Sequence, residues 1–247
     1  MSWLALGDKS TGTSHRAKSL PCQDAFRYAP LVPGGEWLIV VVADGAGSAS
    51  HSDVGAQLVC DQFVWQVQDV EPVTLFAQEG MAAVFAAVRE SLVAEAGRLG
   101  LPPRELACTA LVAVVGPEGA AFAQVGDGAI VVGDGTGYRA VFWPDPAEYA
   151  NATDFLTDDR HANALRFEAT AGPVVDVAVL TDGLQRVALD FAARRPHEPF
   201  FRPLFDRLRD TPDPDSLHDP FRAFLDSPRV NERTDDDKTL VLLARRP

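Results

Sequence analysis

Residues 37–45 read Trp-Leu-Ile-Val-Val-Val-Ala-Asp-Gly, an unbroken apolar run that ends on a carboxylate and a glycine. Seven apolar residues, several of them β-branched, have the length of a strand and are too few to span a bilayer. Because polar and apolar residues do not alternate, the run predicts a strand that is covered on both faces. Asp44 is therefore expected at the rigid end of a buried strand.

The same arrangement recurs along the chain. Asp127 and Asp182 each follow an apolar run, Asp24 stands near the first strands, and the triplet Asp235–Asp237 precedes the last apolar run. Strand ends can converge on one edge of a sheet, and carboxylate oxygens are the ligands that Mg²⁺ and Mn²⁺ prefer. Without cations, such a cluster would repel itself and raise its own pKa values. The recurrence therefore predicts a binuclear metal site.

A lone Asp-Gly pair has a simpler interpretation, because it is a common hairpin turn. Asp134-Gly135 lies between two predicted strands, and we interpret it as such a turn. The run from Gly133 to Gly137 is similar to a nucleotide-binding loop but opens no helix, which favours a hairpin. Taken alone, Asp235–Asp237 would also suit a solvated edge or a helix cap. Only the recurrence of strand-end aspartates favours the metal-site hypothesis over these alternatives.

The other apolar runs outline a layered α+β domain with helices on the outside. Apolar residues at helical spacing from Met81 to Leu92 predict one helix, which Gly100 ends. A neighbouring helix, with Trp65 expected in the core, is predicted over about residues 53–68. The order of strand, helix pair and strand run differs from regular βαβ alternation. Further strands are predicted at residues 110–115, 120–125, 130–132, 138–143, 174–180 and 239–243, and those between 110 and 143 are expected to form an antiparallel meander.

We expect a single domain over residues 1–247, because no linker is long enough to divide the chain. Residues 144–173 are irregular in pattern and predict a flap that shapes substrate choice. Seven prolines lie between residues 194 and 236, and they predict that the helices there are short.

Composition excludes several classes of protein. Of the 247 residues, 47% are hydrophobic, which excludes a disordered chain, and a net charge of −13 disfavours binding to nucleic acid. The three cysteines form no close pair, which argues against a disulfide framework or a thiolate zinc site. No apolar run is long enough for a membrane span, and the amino terminus lacks a signal-peptide core. We therefore expect a cytoplasmic protein that binds neither nucleic acid nor membrane.

Taken in order, the motifs resemble those of the metal-dependent protein phosphatases, the protein phosphatase 2C (PPM) family, in a divergent bacterial form. That family carries an acidic-Asp pair, Asp-Gly-x-Gly, Gly-Asp, Thr/Ser-Asp-Gly and a final Asp-Asn-x-Thr. The resemblance covers about residues 5–244, including Cys108-Thr109 in the strand before the Gly-Asp turn. The matching motifs are Gln23-Asp24, Asp44-Gly-Ala-Gly47, Gly126-Asp127, Thr181-Asp182-Gly183 and Asp236-Asp237-Lys-Thr239.

The resemblance implies a four-layer αββα sandwich of two mainly antiparallel sheets flanked by helices, with a dimetal site between the sheets at one end. Carried over by motif, Asp44 would bridge two Mn²⁺ or Mg²⁺ ions, and Gly45 would coordinate one of them through its carbonyl oxygen. Asp182 and Asp236 would bind the other ion.

Two further aspartates complete the implied site. Asp24 would hold water molecules on the metals, and Asp127 would contribute with Asp182 to a weaker third metal site. A water molecule between the ions would attack phosphorus in line, so the reaction needs no nucleophilic side chain. The sequence correspondingly contains neither a Gly-x-Ser-x-Gly elbow nor a Cys-x₅-Arg loop.

The phosphate-binding arginine of the family is missing from its usual place. It stands five residues before the first aspartate, where this chain has Ser19. Arg16, Lys18 and His15 are the possible replacements. We rank Arg16 first because a guanidinium can form a bidentate fork on phosphate.

Two other positions depart from the family pattern. Ala46 stands where eukaryotic members carry a histidine that is thought to protonate the leaving group, and Asp237 replaces the usual asparagine of the last motif. The second change alters the local charge by one. We expect His15 to be structural rather than catalytic, although it is the histidine to test.

Three functions are compatible with these residues. The first is a serine/threonine protein phosphatase that acts, with a metal-activated water, on proteins phosphorylated by a serine/threonine kinase. The second is a catalytically silent phosphatase-like module that binds a partner in a signalling assembly. The intact Asp44, Asp182 and Asp236 argue against it, whereas Ser19 and Ala46 keep it open. The third, a different dimetal hydrolase of small phosphate compounds, is disfavoured because no histidine lies near the motifs. The sequence does not indicate an oligomeric state.

Overall fold

The computed structural model describes residues 3–32, 36–117, 119–144, 153–172 and 174–246. The strands are β1 (Trp3–Ser10), β2 (Ala25–Pro30), β3 (Leu38–Ala43), β4 (Ala110–Val115), β5 (Ala120–Val125), β6 (Ala129–Gly133), β7 (Tyr138–Ala140), β8 (Arg166–Thr170), β9 (Asp176–Leu180), β10 (Leu189–Asp190), β11 (Arg195–Pro196) and β12 (Lys238–Arg245). The helices are α1 (Thr13–Ala17), α2 (Ser52–Gln66), α3 (Gln78–Leu99), α4 (His161–Ala164), α5 (Gln185–Ala188), α6 (Glu198–Asp210), α7 (His218–Leu225) and α8 (Pro228–Asn231).

Two antiparallel sheets form the centre of the molecule, and helices cover both outer faces. The first sheet has the strand order β1-β12-β9-β6-β7, and the second has the order β2-β3-β4-β5-β8. Helices α2 and α3 pack on the second sheet through a core that includes Phe63 and Phe85. Helices α6 and α7 cover the first sheet. Val42, Leu111 and Val179 belong to a third core between the sheets. The predicted αββα sandwich is thereby confirmed.

Strand β3 shows why its sequence is apolar throughout. Ile39 and Val41 face the helices α2 and α3, whereas Val40 and Val42 face the other sheet. None of these side chains is more than 1% exposed. Burial of each stabilises the fold by about 1.5–3 kcal/mol, so both faces of the strand need apolar residues.

Strand pairing gathers the aspartates at the sheet edges. Asp24 precedes β2 and Asp44 follows β3, and these strands are antiparallel neighbours. Asp182 follows β9, while Asp127 and Asp236 precede the two strands that flank β9. In an antiparallel pair, the end of one strand lies beside the start of the next. Each group of aspartates therefore lies at one edge of its own sheet.

The meander expected over residues 110–143 is wrong at its centre. β4 and β5 form a hairpin in the second sheet, whereas β6 and β7 form a hairpin in the first. Between them, Gly126-Asp127-Gly128 carries the chain from one sheet to the other. The prediction failed because glycine and aspartate occur both in hairpin turns and in connections between sheets. β6 joins the first sheet because it pairs with β9, which is distant in sequence. The Asp134-Gly135 turn between β6 and β7 forms as predicted.

Part of the expected flap belongs to a sheet. β8 lies within residues 144–173 and pairs with β5 at the edge of the second sheet. The short helix α4 comes just before it. Residues 145–152 lie outside the described residues, so the prediction of a flap is untested there. Among the described residues of this range, irregular structure remains at 153–160 and at 171–172, after β8.

The helices correct two further expectations. α6 runs for 13 residues with Pro203 inside it, although prolines predicted short helices. Burial of Phe201 and Phe205 outweighs the roughly 3 kcal/mol that an internal proline costs. Trp65, expected in the core, is 61% exposed on α2. Within the described ranges, every helix is too short or too polar to serve as a membrane-spanning segment.

Candidate active site

Asp24 joins the two sheets through a buried carboxylate. The residue stands before β2 of the second sheet and is 1% exposed. Its Oδ2 accepts hydrogen bonds from the hydroxyl groups of Thr181, at 2.9 Å, and Thr239, at 2.7 Å, at the end of the first sheet. Its Oδ1 is buried and has no hydrogen-bond partner among the described residues. Asp24 thus has one fixed oxygen and one that lacks a partner.

Asp44, which follows β3, and Asp182, which follows β9, lie within electrostatic range of each other. Thr109 fixes the backbone of Asp44, because its hydroxyl accepts the Asp44 N–H at 2.9 Å and its own N–H donates to the Asp44 carbonyl at 2.8 Å. The N–H of Gly45 donates to the carbonyl of Gln23 at 3.1 Å, which ties this turn to the Asp24 segment. Oδ1 of Asp182 is buried and without a partner in the described part of the chain.

The crossing loop Gly126-Asp127-Gly128 is held by side-chain donors. The buried Gln124 amide donates to the carbonyls of both glycines at 2.9 Å, and Arg166 donates to the first of them at 3.2 Å. Gln185 donates to the Asp127 carbonyl. The hydroxyl of Thr153 donates to Oδ2 of Asp127 at 2.8 Å. These contacts fix Asp127 opposite the end of β9.

The last motif places its two aspartates in different surroundings. Asp236 is exposed at the edge of the first sheet, within electrostatic range of Asp127 and Asp182. Asp237 is 2% exposed, and its carboxylate is enclosed by N–H donors. The structure therefore exposes the aspartate that sequence analysis selected as a metal ligand and buries its neighbour.

Burial and mutual repulsion raise the pKa values of these carboxyl groups. Burial, with a contribution from the charge of Asp237, raises the pKa of Asp24 to about 8. Burial and the charge of Asp127 raise the pKa of Asp182 to about 6, and burial and the charge of Asp24 hold the pKa of Asp44 well above its usual range. Burial also raises the pKa of Asp127. Full ionisation of the cluster therefore requires a compensating positive charge.

These residues fit a hard divalent cation. Asp24 and Asp182 each carry a buried carboxylate oxygen without a partner, and carboxylate oxygens suit Mg²⁺ or Mn²⁺. A cation would also relieve the repulsion that raises the pKa values. In the described ranges, no three His, Cys, Asp or Glu side chains already form a group that could hold a metal. Binding would therefore require the carboxylates to turn toward the ion together.

The three proposed substitutes for the phosphate-binding arginine lie apart from this cluster or are already engaged. Both terminal guanidinium nitrogens of Arg16 donate to Asp226, at 2.6 and 3.0 Å, on an exposed surface. Nδ1 of His15 lies 2.9 Å from Oδ2 of Asp237. Lys18 is exposed. The fork that the sequence assigned to phosphate thus already has a carboxylate partner.

Sequence analysis did not select the side chains that hold the aspartates. Thr109, Thr181 and Thr239 fix the carboxylates or their backbone, and Gln124 and Gln185 fix the crossing loop. The threonines stand in the quoted motifs, but threonine also favours strands in general. Only Gln124, a polar residue inside an apolar strand, carried a signal that could have been recognised.

Comparison with known proteins places this chain in a family. A model of the family described as "Protein phosphatase 2C" matches residues 11–222. The chain is 40% identical to serine/threonine-protein phosphatase 3 of Escherichia coli (strain K12) over 248 residues, which cover 98% of each protein.

Solved structures with the same fold come from bacteria and eukaryotes. A serine/threonine phosphatase from Staphylococcus aureus matches with a TM-score of 0.66 and 17% identity, over 98% of this chain and 95% of that one. A serine-threonine phosphatase 2C from Toxoplasma gondii matches with a TM-score of 0.64 and 14% identity, over 98% and 95% of the two chains. At these identities, the likeness concerns the fold alone.

Proposed function

Because the chain belongs to the protein phosphatase 2C family and is a protein-serine/threonine phosphatase, we propose that it hydrolyses phosphoserine and phosphothreonine with water activated by two divalent ions, Mn²⁺ or Mg²⁺. Its substrates are phosphorylated proteins. We further propose that they are products of a serine/threonine kinase and that the enzyme acts in signalling. The family is metal-dependent. We propose the number of ions, two, and their kind, Mn²⁺ or Mg²⁺.

The proposed ligands follow the motif order. Asp44 would bridge the two ions, the Gly45 carbonyl would bind one of them, and Asp182 and Asp236 would bind the other. Asp127 would join Asp182 in a weaker third site. The electrostatic coupling of Asp127 to both Asp182 and Asp236 supports this grouping.

When bound, divalent cations lower the pKa of a water molecule and offset negative charge on the phosphoryl oxygens. Asp24 would orient that water, since its buried Oδ1 is available as an acceptor while Thr181 and Thr239 hold Oδ2 in place. Asp24 comes from the second sheet and both threonines from the first, so these hydrogen bonds hold the carboxylate between the two sheets. In this proposal the protein side chains position the attacking water, and the reaction needs no covalent intermediate with the protein.

One observation carries the proposal: buried carboxylate oxygens without hydrogen-bond partners lie in a cluster of aspartates whose pKa values are raised. Such a cluster costs stability in the absence of a cation, and a silent binding module has no use for it. The silent module is therefore not favoured.

The test compares wild type with Asp182→Asn on an aryl phosphate and a phosphothreonine peptide, with Mn²⁺ and with excess EDTA. We expect turnover that requires metal and that falls at least about 100-fold in the variant, because the amide removes a charged ligand. Asp134→Asn is the matched control, since Asp134 has the same Asp-Gly context but lies in the β6–β7 turn. Turnover that persists in EDTA, or that Asp182→Asn leaves intact, would contradict the proposal.

A further inference from the structure

Asp237 forms a buried hub that accepts three N–H groups. Its Oδ1 accepts the backbone N–H of Gly12 at 2.6 Å, and its Oδ2 accepts that of Gln23 at 2.6 Å. The ring nitrogen Nδ1 of His15 lies 2.9 Å from the same Oδ2. Because an ionised carboxylate only accepts hydrogen bonds, Nδ1 must carry the hydrogen. His15, 12% exposed in its side chain, is thereby fixed in orientation and tautomer.

The three donors belong to segments that adjoin the proposed metal ligands. Gln23 precedes Asp24 directly. The N-terminal turn rests on the last motif, where Ser14 N–H donates to the Asp235 carbonyl at 2.9 Å and a Cβ on Gly12 would lie 2.4 Å from the backbone carbon of Asp236. The hub therefore links the backbone next to Asp24 with the backbone of Asp236.

The Asp182 segment also packs against the hub. A Cβ on Gly183 would lie 1.9 Å from the carbonyl oxygen of Asp237, so only glycine permits this approach. Three of the strand-end motifs thus meet at one residue that is not itself a proposed ligand.

An asparagine at position 237 could not fill this role. Its amide offers one acceptor oxygen and one NH₂ donor, whereas both oxygens of Asp237 face N–H groups. The NH₂ group would oppose a buried backbone donor, and a buried donor without an acceptor destabilises the fold. Asp237, where the family pattern has asparagine, therefore gives His15 and the two backbone N–H groups acceptors that asparagine could not supply together.

We propose that Asp237 and His15 are positioning residues for the metal site: His15 completes the donor set that holds Asp237, and Asp237 holds the backbone of Asp24 and Asp236 in place. This inference rests on the proposed function, because the positioned groups are its proposed ligands. It also gives one physical reason for two features of the sequence, the histidine in Gly12-Thr-Ser-His15 and the aspartate in the last motif.

The test separates positioning from proton transfer. His15→Asn places an amide N–H near the position of Nδ1 and retains a donor to Asp237, but it cannot transfer a proton, whereas His15→Ala removes both properties. We expect His15→Ala and Asp237→Asn each to weaken Mn²⁺ binding by roughly 10- to 100-fold in calorimetry and to lower the melting temperature in EDTA. We expect His15→Asn to retain both properties, with kcat near wild type at saturating Mn²⁺.

The double variant His15→Ala, Asp237→Asn should bind Mn²⁺ no more weakly than Asp237→Asn alone, since the histidine acts through the aspartate. His218→Gln serves as a control histidine outside the site. Unchanged Mn²⁺ affinity and melting temperature in His15→Ala would overturn the inference, as would equal loss of kcat in His15→Asn and His15→Ala. Absence of metal-dependent turnover in wild type would instead contradict the proposed function, and the EDTA melting temperatures would still test the pair.

Discussion

At the residue scale, two arginines differ in what they can offer a phosphate group. Arg16 has its fork on Asp226, and this pairing lowers the pKa of Asp226 to about 2. Arg166 donates one N–H to the Gly126 carbonyl. Its positive charge partly offsets the increase in the pKa of Asp127 that burial causes. A guanidinium has five N–H groups, so Arg166 retains donors beside the carboxylate cluster.

We therefore expect Arg166→Gln to weaken competitive inhibition by inorganic phosphate about tenfold or more, the value of a charged hydrogen bond. Arg16→Gln, which removes the same group from the Asp226 pair, should change the inhibition constant less than twofold. Both constants are measured with the phosphopeptide at saturating Mn²⁺. The opposite ranking of the two variants would return the phosphate-binding role to Arg16.

At the element scale, the crossing from β5 to β6 depends on Gly126. Its φ of +104° lies in a region that favours glycine, and a Cβ there would meet Cγ2 of Thr109 at 2.4 Å. Thr109 also fixes the backbone of Asp44, so the crossing and the β3 turn share one contact. A change at Gly126 therefore reaches both sheets.

Gly126→Ala should destabilise the protein by about 1–3 kcal/mol, the usual cost of a strained backbone, and should weaken metal binding through Asp127. Gly97→Ala is the matched control, because Gly97 is exposed on α3 with open space around its Cβ position. That change should stabilise the helix by about 0.5–1 kcal/mol. Urea denaturation of both variants in EDTA measures the two effects, and equal free energies of unfolding would refute the prediction.

At the scale of the whole molecule, the carboxylate cluster couples stability to pH. The pKa of Asp24 is raised to about 8 and that of Asp182 to about 6, while an unfolded aspartate titrates near pH 3.9. Between these values the folded, metal-free protein binds more protons than the unfolded chain. Its stability therefore falls as the pH rises, by up to about 1.4 kcal/mol per pH unit for each proton retained.

We expect the melting temperature in EDTA to fall steadily from pH 5 to pH 8. Saturating Mn²⁺ should raise the melting temperature most at pH 8, where the carboxylates are most ionised and the cation competes with the fewest protons. Asp182→Asn should flatten the slope in EDTA, because one titrating group is removed. A melting temperature that rises with pH in EDTA would contradict the assigned direction.

Individual residues show which parts of the fold were predictable. The run 37–43 has no polar residue, and residues 39–43 are buried on both faces as that composition predicts, whereas Trp37 and Leu38 are half-buried. Trp65 is apolar and yet lies exposed, because its position on α2 points it away from the sheet. β8 was not predicted and its residues were included in the expected flap, because an edge strand of mixed polarity has no strong sequence pattern of its own.

The site divides in the same way. The sequence by itself determined that aspartates would follow or precede buried strands, because periodicity and glycine placement are local properties. Only the tertiary structure decided which sheet each strand joins, that Asp127 lies on a crossing instead of a hairpin, and that Asp237 is buried with His15 while Asp236 is exposed. Those outcomes depend on pairings between residues as much as 225 positions apart, such as Gly12 and Asp237, and local sequence holds no record of such partners.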